Sequence, residues 1–107
     1  DSAGVTHEKI YNIALSDDRT PNQPVASTVD LKTASYTNSI GSSHFNRVWT
    51  DADFDPMLRA FYYVRVLEIP TPRWTAYDEL KFKVKMPDQV PKIVQDRAYT
   101  SAIWYTP

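Results

Sequence analysis

The chain has 107 residues with 12 basic and 13 acidic side chains, so it is near neutral, and no block of like charge offers a track for nucleic-acid phosphates or an anionic membrane. It contains no cysteine, which removes disulfides, thiolate metal sites and cysteine nucleophiles together; its two glycines, Gly4 and Gly41, are too few for a phosphate-cradling loop or a Gly-x-Ser-x-Gly elbow. A single domain of this size buries only roughly 60–65% of its unfolded surface, and no stretch nears the roughly 18 apolar residues of a membrane span, so neither nucleic acid nor membrane insertion is expected.

Period-two alternation of bulky and β-branched residues dominates and predicts a mainly β protein. Residues 8–16 alternate Tyr11, Ile13 and Leu15 against Ile10, Asn12 and Ala14, then stop at Asp17-Asp18-Arg19-Thr20-Pro21, a polar turn cluster. After a loop to about residue 27, residues 28–31 and 34–40 read as two short strands or one bent strand ended by Gly41. Residues 44–50 make another, with Phe45, Val48 and Trp49 as its apolar content. Residues 51–59 form a loop with one helical turn near Pro56, because proline fits a first turn.

Residues 60–69 are the strongest predicted strand. Tyr62, Val64 and Val66 lie on one face, and Phe61, Tyr63, Arg65 and Leu67 on the other. Both faces are bulky, which predicts a central strand whose second face is covered by a long loop or a neighbouring domain. Pro70 and Pro72 end it. From residue 71 to 96 the chain wanders, with a helical turn or two over 77–82, and Pro87 and Pro91 argue against one long element. Residues 97–107 form the last strand, and with 60–69 they make a closing hairpin with a long insertion between.

Tyr62-Tyr63-Val64-Arg65-Val66 followed by Tyr99-Thr100-Ser101-Ala102-Ile103-Trp104 resembles the ending of PHP-type metallohydrolases. More closely, Ile69-Pro70-Thr71-Pro72-Arg73-Trp74-Thr75-Ala76-Tyr77-Asp78 is similar to the C-terminal part of the bacterial family called domain of unknown function 3604, with supporting matches at residues 36–41 and 48–56. Ala102 departs from that pattern where proline is usual, and Asp17 stands where Gly-Asp-Arg is expected. The resemblance implies an immunoglobulin-like β-sandwich of about seven strands, with a long insertion before the last. It further implies that residues 1–107 are a single C-terminal accessory domain cut from a larger protein, without cofactor or catalytic residue of its own, since the divalent metal would belong to a missing N-terminal catalytic domain. A periplasmic or secreted location follows from the family's usual export signals.

Three constellations merit weighing. Asp51, Asp53 and Asp55 have the opening of a calcium loop, but Pro56 and Tyr62 occupy the positions that need glycine and glutamate, so backbone-capping turns are expected instead. His7 and His44 share no zinc-ligand spacing, and a Ser-His-Asp arrangement has no local motif. Trp74 and Tyr77 sit in a proline-stiffened stretch that either docks on the catalytic domain or stacks on a sugar ring. The interface candidates are therefore Phe61, Tyr63, Arg73, Trp74 and Tyr77. Their partner is the parent's own catalytic domain, or a second copy in a dimer of the excised fragment; the alternative is a free-standing carbohydrate-binding module.

Overall fold

The computed structural model describes residues 3–107. Its organising feature is one long antiparallel ribbon. The outgoing side carries β1 (Ala60–Tyr62), β2 (Arg65–Leu67) and β3 (Thr71–Pro72); after α1 (Trp74–Phe82) the returning side carries β4 (Ile93–Val94), β5 (Arg97–Tyr99) and β6 (Ile103–Tyr105). β1 pairs with β6, β2 with β5 and β3 with β4. The register sets Phe61 opposite Trp104, Val66 opposite Ala98 and Thr71 opposite Val94.

The two breaks in the ribbon have a physical cause. Between Tyr62 and Arg65 two residues face three on the returning side, the count of a bulge. There Thr100 N–H donates to Val64 O at 3.0 Å, while the Val64 N–H is met by the Thr100 hydroxyl at 2.9 Å, so a side chain substitutes for a ladder acceptor. The second break falls at Glu68, Ile69 and Pro70, opposite Gln95 and Asp96. It is bridged by Glu68 N–H to Asp96 O at 2.9 Å and by the Gln95 amide to Glu68 O at 2.8 Å.

The tip of the ribbon holds the most buried cluster. Thr75 and Ala76, in the first turn of α1, are 1% and 2% exposed. The Thr75 hydroxyl donates to Pro91 O at 2.7 Å, and Arg73 N–H to Lys92 O at 2.8 Å. The Lys92 ammonium pairs with Glu79 at 2.5 Å across the same seam. Neither end of the helix has its favoured cap: Arg73 makes no side-chain cap bond, and Lys83 adopts the left-handed conformation at φ 55 that glycine usually supplies.

Residues 3–59 contribute a single isolated bridge, Asp30 with Ser35, closing a turn over the buried Ala34. Asp17, in the place where the resembling pattern has glycine, takes φ 58. Its carboxylate compensates by accepting the Gly41 N–H at 2.8 Å and the Ser16 hydroxyl at 2.8 Å. Gly41 is required for its own reasons: φ is 83, and a Cβ there would stand 2.8 Å from Ile69 Cγ2.

The mainly β class and the pairing of the two predicted closing strands hold. The layering differs: among the described residues six short strands form two-stranded pairs in one ribbon, where about seven strands in two packed sheets were expected. Residues 8–16 and 44–50 form no strand, and the Trp74 region is helix rather than loop. The expected cover over the second face of the 60–69 strand is also incomplete, since Phe61, Tyr63 and Leu67 remain half-exposed, as do Val64 and Val66 on the first face. The radius of gyration is 19.1 Å, against about 13 Å for a compact domain of this length. The accessible surface is 8906 Å², roughly 2,800 Å² more than a compact protein of this mass exposes.

Candidate functional site

Two side-chain groupings flank the ribbon. On one face the Phe61 and Tyr63 rings stack with centroids 6.3 Å apart and planes at 11°. The register brings Trp104 to 5.0 Å from Phe61, and Tyr99 lies 6.1 Å from Tyr63. The four rings make a continuous apolar strip, most open at Trp104, which is 74% exposed. Phe61 and Tyr63 were expected to form a contact surface; Tyr99 and Trp104 were not singled out, although the pairing of the two closing strands already sets Trp104 across from Phe61.

The other candidates lie elsewhere. Arg73 is the N-cap of α1 and is partly buried. Trp74 and Tyr77 follow at i and i+3, 60% and 48% exposed, so they share one side of the helix. Among the described residues no ring contact joins Trp74 or Tyr77 to the Phe61 strip.

The second grouping, on the Tyr62 side, was not anticipated. Tyr62 donates its hydroxyl to Asp51 at 2.8 Å, and Tyr11 donates to Asp51 at 3.2 Å and to Asp53 at 2.5 Å. Lys9 pairs with Asp53 and lies 5.1 Å from the Tyr11 ring centroid. Trp49 fills the middle, 4.8 Å from Tyr11 and 6.2 Å edge-on to Tyr62. An open hollow of about 330 Å³ beside it is lined by Trp49, Thr50, Asp51, Phe54 and Tyr62.

The aspartates behave as turn caps: Asp51 accepts the Asp53 N–H at 2.9 Å, and Asp55 accepts the Met57 N–H at 2.8 Å. Among the described residues no group of three His, Asp or Glu side chains is placed to hold a metal ion. A second open hollow brings Ser16, Asp17, Ser42 and His44 together, but the Asp17 carboxylate is turned to Gly41 and Ser16, and among the described residues the His44 ring meets only Ser43, at 3.3 Å. That is not the geometry of a proton relay.

The electrostatics of the Tyr62-side grouping favour one protonation state. The Asp53 N–H and the Tyr62 hydroxyl hold Asp51 below the usual carboxylate range, and Lys9 with Tyr11 does the same for Asp53. Tyr11 is pushed above the ordinary tyrosine value by its bond to Asp53, Tyr62 by its bond to Asp51, and Lys9 is raised by Asp53. A lowered carboxylate contributes stability that is lost as pH falls through its folded value; a raised tyrosine or lysine contributes stability lost as pH rises through its own. The tether between residues 9–11 and the 51–53 turn is therefore expected to hold from mildly acid to mildly alkaline pH and to loosen at both extremes. In Asp53→Asn, the ultraviolet titration of Tyr11 should move down toward that of free tyrosine; an unmoved titration would contradict the bond.

No curated protein and no solved structure matches the chain. A protein-family model described as "Protein of unknown function (DUF3604)" matches residues 1–107. The match takes in both groupings and the whole ribbon, and the chain belongs to the DUF3604 family.

Proposed function

We propose that this chain is a non-catalytic, C-terminal accessory domain of a larger metal-dependent hydrolase, and that its aromatic strip packs against the catalytic domain. The observation that carries the reading is the open face of Phe61, Tyr63, Tyr99 and Trp104, four large rings aligned on one side of a ribbon too thin to have a core of its own. A two-stranded ribbon is marginal in water, and aligned exposed aromatics mark an interaction surface. In this reading the ribbon supplies the closing strands of an immunoglobulin-like sandwich, whose other layer lies outside these residues. Arg73, Trp74 and Tyr77, at the start of α1, extend the same contact, with the Arg73 guanidinium suited to carboxylates or carbonyls on the facing surface.

A carbohydrate-binding module remains the second reading, because Trp74 and Tyr77 are exposed and share one side of a helix, an arrangement that can stack on sugar rings. Calorimetric titration separates the two. With zinc, manganese, calcium or soluble oligosaccharides the chain should give no stoichiometric heat. A metal site abolished by Asp51→Asn with Asp53→Asn would overturn the non-catalytic reading, and saccharide binding lost in Trp74→Ala would favour the module.

A further inference from the structure

Among the described residues, two segments have backbone N–H groups without a protein acceptor, and of their carbonyls Asn46 O meets only the guanidinium of the adjacent Arg47, at 3.2 Å. Residues 8–15 and 45–50 form no ladder, and among the described residues none of their backbone N–H groups reaches a protein acceptor. Yet both have the composition of strands, with Ile10, Ile13, Phe45 and Val48 exposed, Val48 almost entirely so. Residues 9–11 are laid against 49–53 in opposite directions, Lys9 meeting Asp53 and Tyr11 meeting Trp49, and these contacts are through side chains. An extended segment of strand composition that presents unpaired backbone groups is a template for pairing with another strand. Here the N–H groups of both segments are presented unpaired beside a fixed frame.

We infer that these segments are the free edges of an unfinished sheet, completed by strand addition from the rest of the parent polypeptide. This rests on the accessory-domain reading and adds the mode of contact: main-chain ladders with an extended segment, rather than side-chain packing alone. The occupant is the parent's own chain because of area. The surface excess is roughly 2,800 Å² on the scaling for compact proteins, whereas a standard dimer covers about 800 Å² on each partner and a large obligate one about 2,500 Å². One copy docking on one edge with a standard interface would leave the other segment and most of that surface bare.

Hydrogen exchange on the complete polypeptide that the gene encodes tests this directly. Amides within 8–15 and 45–50 should exchange at least about a hundredfold more slowly than in an unstructured chain, equally at high and low protein concentration. Exchange within about tenfold of the unstructured rate would overturn the inference. If solvent labelling of Trp104 in the same sample were low, the accessory-domain reading would survive; if it were high, both would fall. Protection that vanishes on dilution would assign the edges to a second copy and also overturn it. As a second variant, Val48→Pro removes one donor and Val48→Thr retains it. Strand addition predicts faster exchange across 45–50 in the proline variant alone, and equal behaviour of the two contradicts it.

Discussion

Replacing Ala76 with aspartate is expected to destabilise the tip of the ribbon by about 3 kcal/mol or more, the cost of forcing an unpaired carboxylate into a buried site. Two effects oppose each other at this position. Ala76 is the third residue of α1, where a negative charge facing the helix dipole contributes about 0.3–1 kcal/mol. But its side chain is 2% exposed beside Thr75 and against β3, with no cation directed at it in the first turn. Burial wins by magnitude. Because α1 lacks a side-chain N-cap and ends on a left-handed lysine, packing rather than intrinsic propensity holds it, so the loss should appear as reduced helical circular dichroism together with a lower urea midpoint. Ala76→Ser, which fits the same space and can bond back to the helix, should cost far less. An unchanged midpoint in the aspartate variant would mean that the tip is not packed as described.

On the proposed accessory-domain reading, Trp104→Ala should cost the complete polypeptide about 3 kcal/mol, the loss for a large aromatic anchored in a packed interface. The same change in residues 1–107 alone should be nearly silent, because Trp104 meets Phe61 with ring centroids 5.0 Å apart and leaves 74% of its surface in water. The contrast between the two is the informative quantity. Trp74→Ala should show the same contrast with a smaller loss, since Trp74 is 60% exposed at the helix start. Equal losses in both contexts would place these rings in the chain's own core. Thermal or denaturant unfolding of the four proteins decides it.

How far the sequence could be read depended on whether a feature was local. The pairing of residues 60–69 with 97–107 was legible because both carry unbroken β-pattern and the prolines between forbid a continuous element. The bulge was not, because nothing in Tyr63-Val64 or Thr100-Ser101 announces that a threonine hydroxyl will stand in for a carbonyl. The helix at Trp74 was hidden by its missing caps, and only its later half showed as a helical turn. Residues 8–16 and 44–50 have strand composition without strand structure, since propensity is a property of the segment and a ladder is a property of its partner.

The same distinction holds at the candidate sites. Asp51 and Asp55 capping their own turns could be derived from spacing alone. Their neighbours could not: Tyr11 and Lys9 come to Asp51 and Asp53 from some 40 residues away in sequence, with no periodic signal linking the two stretches. Trp104 was within reach, because a register between the closing strands sets it across from Phe61; Tyr99 was not, because it reaches the face of Tyr63 only through the bulge, which shifts the register by one residue.

The central claim is that the strip of Phe61, Tyr63, Tyr99 and Trp104 is an interface within a larger protein. Hydroxyl-radical footprinting of the complete polypeptide, read residue by residue by mass spectrometry, tests it most directly. The account predicts that all four rings are labelled far more slowly in the native protein than in the same protein unfolded, with Trp104 protected as strongly as Phe61. Labelling of Trp104 and Tyr99 at the unfolded rate, in a protein otherwise shown to be folded, would contradict it.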